Sequence, residues 1–307
     1  MRHLISLDDL TDEDLRAIVA RAARLADDPR QAATSLAGEV VGIYFSKTST
    51  RTRTAFSSGA LRLGARIISY GPGDLQINTG ETIEDTGRVL STMLDALVVR
   101  TAGDPAELRA MADQKRMSVV NAMTADEHPT QALADLTTMV RRFGRVDGLR
   151  VLYLGEGNNS AAALALALTR FPGTELHLRT PPGYGLDPEV LARGQAHAAR
   201  HGASLVERHD MTDLPTADVV YTTRWETTGT TKPDPDWRTV FAPFQVTREI
   251  WRTSPDAVFM HDLPAHRGEE VTAEVLDGQD SIAFAQAENK MYSAMAVLEW
   301  CRGRDVA

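Results

Sequence analysis

The sequence predicts an α/β protein with two doubly wound domains, each with a parallel sheet flanked by helices. Short apolar runs alternate with amphipathic helical patterns along most of the chain, which is typical of strand–helix–strand crossovers. The length of 307 residues exceeds the roughly 100–200 residues of one domain. The alternation also restarts at Val151, after a break near Gly144. These features predict two domains of the same architecture.

The first half opens with a capping-box pattern at Thr11 to Asp14, which predicts a helix through about Leu25. Apolar runs separated by polar turns then predict strands at 40–45, 66–70, 96–99 and 118–120, with helices at about 49–64, from 82 and from 105. A longer helix is expected from His128-Pro129 to Arg142. Pro just inside its start and Gly144 just past its end fit the usual helix punctuation.

The second half repeats this pattern. Its strands are expected over 151–155 and near Leu176, Leu205, Val219 and Val258. A last helix over 288–302 is expected to pack on the first domain. The predicted domains are therefore 1–145 with 288–307, and 146–287. The stretch 227–244 is rich in Pro, Gly and Thr, which predicts a functional loop rather than a filler segment.

Composition narrows the classes of partner. The formal net charge is -9 and the pI is about 5.4, which argues against a nucleic-acid or membrane-surface partner because both need a basic face. No apolar run approaches the ~20 residues of a membrane span, and acidic residues soon follow the N-terminus, where a signal peptide would be apolar. The single cysteine, Cys301, indicates a reducing compartment. We expect a cytoplasmic protein.

The segment Ser49-Thr50-Arg51-Thr52-Arg53 follows the first predicted strand and opens a helix. The first turn of a helix carries unpaired N–H groups and partial positive charge. Hydroxyl and guanidinium groups add donors that suit phosphate oxygens. The alternative is an ordinary capped helix with solvated arginines, but the carboxyl end of a strand is where open α/β sheets bind ligands.

Three further residues are candidates for the same crevice. Arg100 ends the strand 96–99, although a strand-end arginine also suits a surface salt bridge. His128 and Gln131 are three apart at a helix start, so they share a face. His128 can polarise a carbonyl and Gln131 can bond an amide, although a lone His-Pro pair is usually structural. The set as a whole, rather than any one residue, indicates a site.

These segments resemble the motifs of the aspartate/ornithine carbamoyltransferase superfamily. Residues 45–53 resemble its carbamoyl-phosphate motif, and 128–135 its second motif. Residues 155–159, 263–270 and 286–289 resemble the ornithine branch in particular. The resemblance covers nearly the whole chain, with several motifs in the family order.

The resemblance implies a homotrimer whose active sites are shared at subunit interfaces, with carbamoyl phosphate bound by the first domain and an amine by the second. The implied catalytic residues are Arg51, Arg100, His128 and Gln131. They bind carbamoyl phosphate together with Ser49, Thr50, Thr52, Gln76, Leu263 and Lys290. Of these, Gln76 is expected to reach a neighbouring subunit's site. No cofactor is needed, and we find no metal-ligand spacing.

The acceptor motifs depart from the ornithine branch. The family segment Asp-x-Trp-x-Ser-Met-Gly corresponds here to Thr223 through Gly229, so a carboxylate becomes Thr223 and Ser-Met becomes Thr227-Thr228. Asp262 stands where the family has a thiol, and Lys290 where it has an arginine. The implied acceptor-binding residues are Asn159, Thr223, Arg224, Thr227, Thr228, Asp262 and Leu263.

We therefore expect a carbamoyltransferase that makes a ureido product and phosphate from a small amino-acid-like amine other than ornithine. The altered charges at Thr223, Arg224 and Asp262 carry this expectation. The alternatives are an ornithine carbamoyltransferase of arginine biosynthesis, an aspartate enzyme favoured by Arg224, and a non-catalytic paralogue that binds carbamoyl phosphate. The motif Gly155-Glu156-Gly157 lacks the later glycine of a dinucleotide-binding loop.

Overall fold

The computed structural model describes residues 1–226 and 231–306. The chain divides into two compact units. One comprises Met1–Arg141 with Glu288–Ala307, and the other comprises Arg142–Ala287. Each unit contains one parallel sheet flanked by helices, which confirms the predicted fold class.

The first unit is built on a four-stranded sheet. Its strands are β1 (Val40–Phe45), β2 (Arg66–Tyr70), β3 (Ala96–Arg100) and β4 (Ser118–Met123), and its helices are α1 (Asp12–Asp27), α2 (Arg51–Arg62), α3 (Ile83–Leu90), α4 (Pro105–Ala112) and α5 (Pro129–Phe143). The spatial order is β2-β1-β3-β4. The chain leaves β1 toward β2 and returns on the other side at β3, so a topological switch point lies between β1 and β3. Ligands of open α/β sheets bind at the carboxyl ends of such strands.

Helix starts in this unit follow the sequence signals. The Thr11 hydroxyl accepts a hydrogen bond from the Asp14 amide at 3.0 Å, so α1 begins at Asp12 as the capping pattern predicted. Thr82 caps α3 in the same way. These caps satisfy amides that otherwise have no partner within the helix.

The last helix, α10 (Ala283–Cys301), contributes its residues from Glu288 onward to the first unit. The Arg21 guanidinium donates to the Glu299 carboxylate at 2.8 Å, and the Trp300 indole donates to Asp14 at 2.7 Å. Glu299 is fully buried, so its charge needs this partner. The helix was expected to begin near 288. It begins earlier, at Ala283.

The second unit is built on a five-stranded sheet. Its strands are β5 (Arg150–Leu154), β6 (Glu175–Arg179), β7 (Ser204–Arg208), β8 (Val219–Thr222) and β9 (Val258–His261), and its helices are α6 (Asn159–Leu168), α7 (Pro188–His201), α8 (Trp237–Phe241) and α9 (Ala273–Leu276). The order β7-β6-β5-β8-β9 places a second switch point between β5 and β8. Residues 155–159 and 223–226 follow these two strands.

The described part of the stretch 227–244 is not a plain loop. It contains α8 and a 3-10 turn over Ala242–Phe244. Trp237 and Phe241 lie one helical turn apart and are buried together with Trp225. This aromatic packing overrides the Pro and Gly composition that predicted a loop. Among the described residues, no helix is long and apolar enough to cross a membrane.

Candidate active site

The start of helix α2, predicted to bind phosphate, has no side-chain cap. Its N-cap residue, Thr50, makes no side-chain hydrogen bond to the first-turn amides, unlike the caps of α1 and α3. Arg51 is the first helical residue. The preceding turn is tied to the sheet because the Ser46 amide donates to the Arg100 carbonyl at 3.0 Å. The uncapped first turn is thereby held at the carboxyl edge of β1, beside β3.

Arg100 joins this helix start from the neighbouring strand. It ends β3 in register with Phe45, the last residue of β1. Its Nη1 atom donates to the Thr52 hydroxyl at 3.4 Å, and only 9% of the residue is exposed. Two predicted phosphate-binding motifs, 49–53 and Arg100, therefore meet at one edge of the sheet.

A small cavity brings the second motif and the last helix to the same place. Its volume is about 10 Å³, and it is lined by Thr52, Ala55, Phe56, His128, Thr130, Gln131 and Lys290. Residues of α2, of the start of α5 and of α10 thus converge within the first unit. Lys290 is buried beside His128, so it adds positive charge there.

His128 is electrically neutral in this setting. Burial lowers its pKa well below the usual value, and the positive charges of Arg100 and Lys290 lower it further. Its Nδ1 atom lies 3.3 Å from the Thr130 hydroxyl. If that hydroxyl donates to Nδ1, the ring proton sits on Nε2, which can then donate to a carbonyl oxygen.

Gln131 presents a free acceptor in the same cavity. Its Nε2 atom donates to Asp135 at 2.8 Å. Its Oε1 atom is buried and has no hydrogen-bond partner within residues 1–226 and 231–306. A buried amide oxygen without a donor is costly, so this atom suits a ligand that carries an N–H group.

Gln76 stands outside this cavity. It begins an exposed 3-10 turn, Gln76–Thr79, and its amide oxygen accepts a hydrogen bond from Thr79 at 2.7 Å. Leu263 belongs to the second unit. Neither residue is brought to the cavity by the structure of the first unit alone.

In the second unit, Thr223 is engaged by structural neighbours. Its hydroxyl lies 3.0 Å from the Tyr153 hydroxyl and accepts from the Asn158 amide at 3.0 Å. Tyr153 in turn donates to the Glu156 carbonyl at 2.7 Å. Both hydrogen-bonding directions of the Thr223 hydroxyl are therefore used within the fold, so this residue supports the site more than it contacts an amine.

Asp262 follows β9 and retains partial access to solvent, with 17% of its side chain exposed. The Ser160 hydroxyl donates to it at 3.1 Å. His261 is fully buried beside it, and its Nε2 atom lies 3.1 Å from Glu270. Burial alone would lower the pKa of His261, but hydrogen bonds with Asp262 and Glu270 raise it. The Asp262 carboxylate therefore accepts from Ser160 and lies 3.4 Å from the His261 ring.

The remaining acceptor candidates differ in their surroundings. Asn159 is buried as the first residue of α6. Arg224 is partly exposed and pairs with Glu226 at 3.5 Å. Leu263 has a left-handed backbone (φ 53°), and its amide donates to His261 Nδ1 at 2.8 Å. Thr227 and Thr228 lie outside the described residues.

Sequence reasoning missed several polar residues that organise the second unit. Asn158 caps α6 by accepting from the Ser160 and Ala161 amides, a role that its position before an apolar run signals. Ser160 and Tyr153 gave no such signal, because Asp262 and Thr223, which they contact, are distant in sequence. The carboxyl and imidazole groups of His266, Glu269 and Glu270 also lie within 4.8 Å of one another. Glu270 already accepts from His261, so this grouping alone does not establish a metal site.

Family comparisons agree with this arrangement. Residues 2–141 match the model described as the aspartate/ornithine carbamoyltransferase carbamoyl-P binding domain. Residues 147–301 match the Asp/Orn binding domain of the same family. Because the two models together span most of the chain, the protein belongs to the aspartate/ornithine carbamoyltransferase family and is a carbamoyltransferase.

Individual relatives are similar over nearly their full length. An ornithine carbamoyltransferase of Symbiobacterium thermophilum is 39% identical, with 97% of this chain and 96% of the relative covered. One of Bacillus subtilis is 35% identical, with 97% and 93% covered. The solved ornithine carbamoyltransferase from Pyrococcus furiosus has a TM-score of 0.91 at 37% identity, covering 97% of this chain and 96% of that one.

These relatives overturn one expectation. The altered residues Thr223, Arg224 and Asp262 suggested an acceptor other than ornithine, but relatives at 35–39% identity are named ornithine carbamoyltransferases. The structure supplies a physical reason why Thr223 misled. Its hydroxyl is used by Tyr153 and Asn158, so this departure from the motif bears on the support of the loop rather than directly on the charge of the ligand.

Proposed function

We propose that this protein transfers the carbamoyl group of carbamoyl phosphate to an amino group of ornithine, giving a ureido product and phosphate. The observation that carries this proposal is the 39% identity, over 97% of the chain, to a relative named ornithine carbamoyltransferase. The first unit then binds carbamoyl phosphate, and the second unit binds the amino acid.

In this proposal the phosphate lies at the start of α2. Ser49, Thr50 and Thr52 supply hydroxyl donors, and Arg51 and Arg100 supply charge-assisted ones. The uncapped first turn of α2 and the short distance between Arg100 and Thr52 support this arrangement. Hydrogen bonds to phosphate from charged donors are roughly twice as strong as neutral ones.

The carbamoyl end lies over the cavity lined by His128, Gln131 and Lys290. Neutral His128 donates to the carbonyl oxygen without adding another positive charge to those of Arg100 and Lys290. The free Oε1 atom of Gln131 accepts from the carbamoyl NH2 group. These two contacts fix both ends of the planar carbamoyl group and orient its carbon toward the incoming amine.

The reaction then needs only positioning and charge stabilisation. The neutral amine forms a C–N bond to the carbamoyl carbon, and negative charge develops on the carbonyl oxygen. The C–O bond to phosphate breaks, and the departing phosphate takes the proton that the amine loses. Arg51, Arg100 and His128 are suited to stabilise the developing charge, which is usually the largest catalytic contribution.

The amino acid binds the edge of the second sheet near β5, β8 and β9. Asp262 supplies a carboxylate for an ammonium group of ornithine, and Asn159 and Leu263 line the same edge. Arg224 suits the α-carboxylate once Glu226 releases it. Two of these features, the partial exposure of Asp262 and its hydrogen bond from Ser160, support an anchoring role.

We also propose a cytoplasmic homotrimer with shared active sites. Exposed apolar side chains on the first unit support association, namely Leu61, Ile68, Val89 and Met93. β2 is an edge strand of the sheet and carries one of them. Gln76 lies on an exposed turn, as a residue that reaches a neighbouring subunit must.

Phosphate release and ureido-product formation by the purified enzyme test the proposal. Carbamoyl phosphate is supplied with ornithine, lysine or aspartate in parallel reactions. We expect a kcat/KM for ornithine that exceeds the others by about 10²-fold or more, because polar groups placed to bind one substrate reject those that leave them unpaired. Absence of turnover with ornithine would reject the proposal.

A further inference from the structure

A buried lysine lies beside the acceptor motif in the second unit. The Lys232 Nζ atom is 5.0 Å from the ring centroids of Tyr184 and Phe241 and 5.9 Å from that of Trp237. We call these three rings the aromatic cage. Only 3% of the Lys232 side chain is exposed, whereas residues 231 and 233–236 around it are exposed. The chain thus turns one side chain inward at this point.

The ammonium group has a carboxylate partner as well. Lys232 Nζ forms an ion pair with Glu156, whose side chain is 18% exposed. Removing an ammonium from water is costly unless it is paired, and aromatic faces add attraction of about 0.5–2 kcal/mol. The aromatic cage and the Glu156 carboxylate together offset the free-energy cost of burying this charge. Lys232 is therefore not an ordinary surface lysine.

Glu156 belongs to a rigid turn, residues 155–158, between β5 and α6. The Tyr153 hydroxyl donates to the Glu156 carbonyl at 2.7 Å, and the Gly157 amide donates to the Tyr184 carbonyl at 2.8 Å. A Cβ atom on Gly157 would lie 2.3 Å from the backbone of Gly185 and Leu186. The turn therefore packs closely against the segment that contains Tyr184 and is hydrogen-bonded to it.

The same turn also binds the start of the acceptor motif. Asn158 donates to the Thr223 hydroxyl at 3.0 Å. Thr223 on one side and Lys232 on the other are thus both attached to residues 155–158, while Trp225 packs against the cage through Trp237 and Phe241. The start of the acceptor motif and the chain that follows the motif therefore share one anchor.

We propose that Lys232 is a positioning residue for ornithine binding, which it supports by holding the chain after the acceptor motif to the 155–158 turn. It does not contact the reacting atoms. The chain is held by the ion pair between the Lys232 ammonium and Glu156. A methionine at this position would fill the cage but could not form that ion pair. This inference rests on the proposed ornithine activity.

The test compares Lys232→Met with Lys232→Arg, and uses Lys115→Met as a matched control, because Lys115 is an exposed lysine of the first unit. For Lys232→Met we expect KM for ornithine to rise by roughly tenfold, the effect of losing one charge-assisted contact, while KM for carbamoyl phosphate stays within about twofold. Arginine retains the positive charge and stacks on aromatic rings. The increase in log KM for ornithine in Lys232→Arg should therefore be at most half of that in Lys232→Met. Lys115→Met should behave as wild type.

Tryptophan fluorescence gives a readout that does not need turnover. Trp237 borders Lys232, so its emission should change in Lys232→Met and not in Lys115→Met. An unchanged KM for ornithine in Lys232→Met would overturn the inference. So would a lower Tm with equal increases in KM for both substrates. In either case, ornithine turnover by the wild type would still uphold the proposed function. Absence of ornithine turnover by the wild type would overturn both.

Discussion

The guanidinium of Arg100 and the hydroxyl of Thr52 lie 3.4 Å apart, although 48 positions separate them in the chain. The contact forms because β1 and β3 are parallel neighbours whose carboxyl ends coincide at Phe45 and Arg100. It joins a helix start and a strand end, both of which we propose bind phosphate, at one edge of the sheet. This relationship determines the first prediction.

Arg100→Lys should lower kcat/KM for carbamoyl phosphate by about 10²- to 10³-fold, comparable to removing one preorganised donor to developing charge. Lysine keeps the charge but loses the planar fork that can bond Thr52 and a phosphate together. Steady-state kinetics at saturating ornithine measures this effect. Arg88→Lys, at an exposed position of α3, is the control and should match wild type.

His128 should make the protein less stable in mild acid. Its pKa is lowered in the folded state by burial, Arg100 and Lys290, whereas the unfolded chain takes up a proton near the ordinary value of 6.5. Between these pKa values the unfolded state binds more protons, so the free energy of unfolding falls as the pH drops below 6.5. The slope contributed by this residue is at most about 1.4 kcal/mol per pH unit.

Urea unfolding of wild type and His128→Gln at pH 7.5 and 5.5 measures this difference. The variant should lose less stability than wild type between the two values, because its side chain does not titrate. His261 has a raised pKa and contributes with the opposite sign, but it is present in both proteins and cancels in the comparison. Equal losses in both proteins would contradict the assignment of a neutral His128.

Local sequence patterns predicted most of the fold and which first-unit residues lie together. Thr11, Pro129 and Gly144 marked helix ends through backbone chemistry, and β1 and β2 were predicted residue for residue. Motif order placed Thr52, Arg100 and His128 together because parallel strands bring their carboxyl ends to one edge. These inferences depend on interactions between residues that are close in the chain, and such interactions leave patterns in a single sequence.

The second unit was harder to predict because its key contacts are long-range. The partners of Thr223 are 70 and 65 positions away, at Tyr153 and Asn158, and no local pattern indicates them. Because these contacts cannot be seen in the sequence, we interpreted the loss of a carboxylate at position 223 as a change of substrate. Lys232 likewise gave no periodic signal, since the rings around it come from separate segments of the chain.

Thr223→Val should destabilise the protein by roughly 0.5–1.5 kcal/mol, because the partly buried Asn158 amide loses its hydrogen bond to the Thr223 hydroxyl. Tyr153 keeps its bond to the Glu156 carbonyl, so the loss should be confined to one donor. Chemical denaturation measures the change in unfolding free energy. Thr223→Ser retains the hydroxyl and should stay close to wild type. Equal stability of all three proteins would show that the hydroxyl is not needed.

Asp262→Asn should raise KM for ornithine by about ten- to a hundredfold while preserving the shape of the site. The asparagine oxygen can still accept the Ser160 hydroxyl, which donates to Asp262 at 3.1 Å, so only the negative charge is lost. A bond to a charged group is worth about 1.5–3 kcal/mol, which corresponds to this range of KM. Ser160→Ala is the control for misplacement of the side chain, and its effect should be smaller. If Asp262→Asn left KM for ornithine unchanged and raised KM for carbamoyl phosphate instead, the carboxylate would have to be reassigned to the other substrate.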